Sequence, residues 1–98
     1  MSLDPAIRSL ISKFRQSHNW DVELDLMLLQ KLWPRLAGES LASVTRVVAI
    51  QGSTVVINVP DLVWRRQLAR MKPQLLRKIN EPWESQRITE IAFTHENH

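Results

Sequence analysis

The stretch VTRVVAIQGSTVVINV, Val44 to Val59, decides how this chain folds. Val44 to Gln51 is rich in β-branched residues, Gly52-Ser53 is a two-residue break, and Val55, Ile57 and Val59 then alternate on one face. Period-two alternation around a Gly-Ser break reads as a β-hairpin. On either side of it the apolar period is that of a helix, so the hairpin supplies the sheet on which helices lie.

Downstream, Pro60-Asp61 stops the second strand, and Asp61 can cap a helix running from Leu62 to about Asn80. Trp64, Leu68, Met71, Leu75 and Ile79 recur three and four apart and form one apolar stripe, which Pro73 is expected to divide or bend. Glu81-Pro82-Trp83 reads as a turn. Arg87 to Thr94 reads as a last strand, with Thr89, Ile91 and Phe93 facing one way and Ile88, Glu90 and Ala92 the other. His95 to His98 are expected to fray.

Upstream, a helix is expected from about Asp21, where Asp21, Glu23 and Asp25 suit its positive end. Val22, Leu26, Leu29, Trp33 and Leu36 share a face. Leu24, Met27, Leu28 and Leu32 widen it until most of the helix is expected to be buried. Pro34 should kink or interrupt this helix, Gly38 follows, and Glu39 to Ala42 can add a turn. An earlier helix within residues 1–19 is signalled by Asp4-Pro5 and by the stripe of Leu3, Ile7, Leu10, Ile11 and Phe14. The expected order is α-α-β-β-α(α)-β: an α+β fold, a three-stranded sheet with helices on one face, in a single domain over residues 1–98.

Composition narrows the function. With 44% hydrophobic and 23% charged residues the chain reads as globular rather than disordered. It has no cysteine, which removes disulfides, thiolate nucleophiles and Cys-ligated zinc and favours a reducing compartment. Met1 to Pro5 lack the pattern of a signal peptide, and no run nears the roughly 18 apolar residues of a membrane span. A cytoplasmic location is expected, with no membrane contact. His18, His95 and His98 do not form a metal-binding spacing, and no histidine has an assignable serine and carboxylate. Gly38 and Gly52 are too isolated for a phosphate-cradling loop. The expectation is a binding module with no enzyme chemistry, cofactor or metal.

Charge gives that module a direction. The net charge is +3, yet residues 61–80 hold six basic side chains and one acidic, whereas residues 81–98 hold one and four. At about 100° per residue, Arg66, Arg70 and Arg77 fall in a narrow sector opposite the Trp64–Ile79 stripe, and Arg65, Lys72 and Lys78 flank the stripe. Guanidinium forks suit phosphate oxygens and give affinity without sequence preference. The alternative is a solvated face that keeps the protein in solution. Trp33 and Trp64 lie on apolar helix faces and are read as core. Trp20 and Trp83, at helix ends, are expected to be partly exposed.

Several of these pieces together resemble a bacterial family. Leu32-Trp33-Pro34-Arg35-Leu36-Ala37-Gly38 resembles its Trp-x-x-hydrophobic-x-Gly signature, and Gly52 to Val59 its glycine turn and second strand. Trp64 and Leu68 are similar to its Trp-x-x-x-Leu helix start. Leu75 to Asn80 are similar to its Leu-Leu…Leu-Asn helix end, and Ile88 to Phe93 to its short final strand. The family is the DciA-like one, formerly a domain of unknown function. The resemblance implies a KH-like fold, contact with the DnaB-type replicative helicase and affinity for single-stranded DNA. It also implies mainly structural roles for Trp33, Gly38, Gly52, Trp64, Leu68 and Asn80. Members commonly carry a further flexible, basic region, and this sequence stops after its last expected strand, so partner and nucleic-acid contact is expected ahead of helicase loading. A KH domain grips the nucleic-acid backbone through a Gly-x-x-Gly loop. Arg70-Met71-Lys72-Pro73-Gln74 has no glycine, so that grip is not expected. Two further readings stay open: a protein–protein module without nucleic-acid affinity, and a KH-like RNA-binding domain.

Overall fold

The structure, a computed structural model, describes Pro5, Ile7 and residues 21–95. The expected first helix falls mostly outside these residues; Pro5 and Ile7 are helical, and Ile7 packs against the core. The described elements are α1 (Val22–Ala37), α2 (Glu39–Ala42), β1 (Arg46–Gln51), β2 (Thr54–Asn58), α3 (Leu62–Arg70), α4 (Lys72–Asn80), a 3₁₀ turn (Glu81–Trp83) and β3 (Glu90–Thr94).

The hairpin forms where the sequence places it. Gly52 has φ 63° and Ser53 a negative φ, the type II′ arrangement whose twist suits two antiparallel strands. A bulge at Val48-Ala49 sets two residues against Val56, so Val47 and Ile50 both turn inward although they are three apart. β2 is the central strand, antiparallel to β1 and parallel to β3. A parallel neighbour needs a crossover, and α3, α4 and the 3₁₀ turn provide it.

The inward face of the sheet carries Val47, Ile50, Val55, Ile57 and Ile91. It packs with Leu29, Leu32, Trp33 and Leu36 of α1, Leu68 of α3, and Leu75 and Ile79 of α4. The fold is therefore α+β, a mixed three-stranded sheet covered by helices.

Several expectations are corrected. Pro34 does not interrupt α1: it sits one turn from the end, where little of the helix follows it, and its carbonyl still accepts the Gly38 N–H at 3.0 Å. Gly38, at φ 93°, ends the helix instead. Val22, Leu24 and Met27 are exposed, so α1 is buried along a narrower stripe than its sequence suggests. The break after α3 falls at Met71, which is exposed and leaves the apolar stripe; Pro73 lies in the first turn of α4, where its missing N–H has no helical partner to lose. β3 begins at Glu90 rather than Arg87, because the Asn80 side chain takes both the N–H and the carbonyl of Ile88, which leaves them no ladder partner. Trp83 is fully buried rather than partly exposed.

Candidate partner and nucleic-acid interface

Asp61 launches α3. Its backbone is extended and its carboxylate accepts the Trp64 N–H at 2.9 Å, so a free amide of the first turn is paired. Trp64 is half-buried and Leu68 buried, which turns the opposite side of the helix to solvent. Arg66 and Arg70 are exposed there, Arg65 is exposed at the flank of the stripe, and α3 itself contains no carboxylate. Met71 is the one residue between α3 and α4, so the two helices meet without a glycine loop.

On α4, Leu75 and Ile79 face the core, and Arg77 and Lys78 are exposed in the last turn, where cations oppose the negative end of the helix. Arg66, Arg70 and Arg77 therefore do not share one continuous helix edge; Arg77 belongs to a separate helix. It lines an open cleft of about 450 Å³ with Asn80, Glu81, Glu84 and Thr89. Among the described residues, Arg65, Arg66, Arg70, Arg77 and Lys78 have no carboxylate at ion-pair distance.

Lys72 differs from these. Its Nζ donates to Glu90 Oε1 at 3.0 Å and lies 5.9 Å from the centre of the Phe93 ring. The same Glu90 oxygen accepts the Ile91 N–H at 2.8 Å. The Lys72 hydrogen bond first, then the Ile91 amide and the Lys72 charge, hold the Glu90 carboxyl below its ordinary range. Lys72 thus fastens α4 to β3, and its charge is already answered.

The six residues of the family-like pattern lie in or beside the core, at turns and at the end of α4. The buried Trp33 donates through Nε1 to Thr45 Oγ1 at 3.0 Å, and Thr45 Oγ1 donates to the Leu41 carbonyl at 2.7 Å. Gly38 and Gly52 hold positive φ. Leu68 is buried and Trp64 packs beside the core. Asn80 Nδ2 donates to the Leu76 and Ile88 carbonyls at 3.0 and 2.8 Å while its Oδ1 accepts the Ile88 N–H at 2.8 Å. That side chain ties the end of α4 to the start of the last strand segment.

A family model described as "Dna[CI] antecedent, DciA" matches residues 6–93. The chain belongs to the DciA family. Its sequence is also 28% identical over 92 residues to a UPF0232 protein of Bifidobacterium longum (strain NCC 2705), an alignment covering 93% of this chain and 59% of the relative. The chain thus spans about three-fifths of that relative's length. No helix among the described residues is long and apolar enough to cross a membrane.

Two features escaped the sequence reading. One is a buried ion pair, Arg87 Nε to Asp25 Oδ2 at 2.8 Å, whose members lie 62 positions apart. The other is the exposure of Leu62 and Val63 at the start of α3. Their position opposite Trp64 and Leu68 is the signal that could have marked them.

Proposed function

We propose that this DciA-family chain is a non-enzymatic adaptor of DNA replication that binds the replicative helicase and adjacent single-stranded DNA. Family membership over residues 6–93 carries the reading. The exposed guanidinium groups of Arg65, Arg66 and Arg70 support its nucleic-acid half, since arginines without a carboxylate partner among the described residues keep their donors for phosphate. Arg77 and Lys78 extend the cationic surface on the next helix. Lys72 contributes mainly to structure.

The test pairs two measurements on the full chain: capture by purified replicative helicase, and a mobility shift with labelled single-stranded DNA. Arg66→Glu combined with Arg70→Glu is expected to weaken DNA binding by roughly tenfold or more at low salt without changing the circular dichroism spectrum. Unchanged affinity at low salt would reject this surface, and failure of the wild-type chain to capture helicase would reject the adaptor role.

A further inference from the structure

We propose that the outward face of α3 docks an acidic, amphipathic segment of a protein partner, with Leu62 and Val63 as apolar anchors and Arg66 and Arg70 gripping its carboxylates. The inference rests on the adaptor reading and adds to it what the partner must present.

The first observation is how little of α3 the fold uses. A nine-residue helix is marginal in water and normally draws its stability from packing a stripe of side chains. Here Leu68 is buried and Trp64 half-buried, while the other seven residues are exposed. The second is what those residues are. Leu62 is 57% exposed and Val63 71%, adjacent to one another and on the face that carries Arg66 and Arg70. Leu62 and Arg66 are four apart, as are Arg66 and Arg70, and Val63 precedes Arg66 by three, so the four side chains form one contiguous surface.

Charge names the occupant. α3 contributes three arginines and no carboxylate, and the one acidic group at its start, Asp61, is held by the Trp64 amide. A covering surface must therefore supply both carboxylates and aliphatic or aromatic side chains. Single-stranded DNA can meet the arginines but leaves the aliphatics unanswered, and a surface built for the strand alone normally adds aromatic platforms for the bases. This face has none: Trp64 is turned toward the core, and Leu62 and Val63 offer phosphate nothing. Adjacent exposed aliphatics mark a surface that another apolar surface covers, and arginine is among the residues enriched at protein interfaces.

The experiment uses the full chain, purified replicative helicase and an oligo(dT) strand as probes, with the variants L62S/V63S and R66E/R70E. Both aliphatics are solvent-exposed in the first helical turn, where serine is tolerated, so L62S/V63S is expected to keep the wild-type spectrum. L62S/V63S should weaken helicase binding by at least about tenfold, the loss expected when buried aliphatic area is removed, and leave oligo(dT) binding within about twofold, whereas R66E/R70E should weaken both. Amide hydrogen exchange over residues 62–70 should slow in the helicase complex. Wild-type helicase affinity in L62S/V63S, or unslowed exchange, overturns the docking inference while the adaptor reading stands. Equal loss of oligo(dT) and helicase binding in L62S/V63S makes the face a nucleic-acid surface and overturns it as well. If helicase binds no form of the chain, the adaptor reading fails and this inference falls with it.

Discussion

Asp25 and Arg87 form a contact on which distant parts of the chain depend. Both side chains are nearly inaccessible, and Arg87 Nη1 also donates to the Gly52 carbonyl at 2.7 Å, so one guanidinium joins α1, the hairpin turn and the approach to β3. Taking two charges out of water is expensive, and the mutual contact together with the Gly52 carbonyl offsets that cost. Arg87→Met strands a buried carboxylate and is expected to destabilise the domain by about 3–5 kcal/mol. Asp25→Leu combined with Arg87→Met removes both charges and should recover at least half of that loss. Urea titration of the two variants checks this; a double variant no more stable than the single one shows that the other bonds of Arg87, not the unpaired carboxylate, dominate. Tryptophan chemistry follows the same logic. Trp33 has Thr45 as acceptor, whereas the buried Trp83 indole N–H has none among the described residues, so the size and apolarity of Trp83 hold it against them.

Between elements, the Lys72–Glu90 contact fastens the start of α4 to the edge strand β3, and its strength depends on pH. The Glu90 carboxyl titrates below its ordinary value of 4.5 because it accepts from Lys72 and from the Ile91 amide. A carboxyl whose folded-state value is depressed stabilises the fold above the unfolded-state value, and the contribution disappears as pH falls through the lowered one. The pair is solvent-exposed, so the effect is modest. Glu90→Gln should lower the urea midpoint slightly at pH 7 and make the loss of stability below about pH 4.5 shallower than in the wild type. Parallel wild-type and variant profiles from pH 7 to pH 3 would remove Glu90 from the account. What the sequence discloses at this scale is local. The hairpin is legible because Gly52 and the β-branched runs act within a few residues, and the starts of α1 and α3 because Asp21 and Asp61 cap their own first turns. The β3 boundary, the parallel pairing and the burial of Trp83 are not legible, since each is set by groups far along the chain. Ile88 alternates as a strand residue would, yet it is fixed by Asn80 rather than by a ladder partner.

Across the whole molecule, a net charge of +3 conceals a division of labour among the cations. Periodicity alone marks Arg66 and Arg70 as solvent-facing, because Trp64 and Leu68 define the opposite side of α3, and the structure places both in solvent, with the flanking Arg65 beside them. Periodicity cannot separate them from Lys72, whose partner Glu90 lies 18 positions away, nor show that a break at Met71 puts Arg77 on another helix. The distinction has a measurable consequence. Each cation–phosphate contact on a single strand adds roughly −0.7 to the slope of log K against log salt. Arg66→Ala with Arg70→Ala should therefore make the oligo(dT) slope shallower by about 1.4, while Lys72→Ala should change it by less than loss of one α3 arginine, because the Lys72 ammonium already has the Glu90 carboxylate at 3.0 Å. Binding titrations between low and moderate salt provide the comparison. If Lys72→Ala flattens the slope as much as loss of one α3 arginine, Lys72 leaves Glu90 to meet the strand, and the cationic surface reaches across Met71 onto the start of α4.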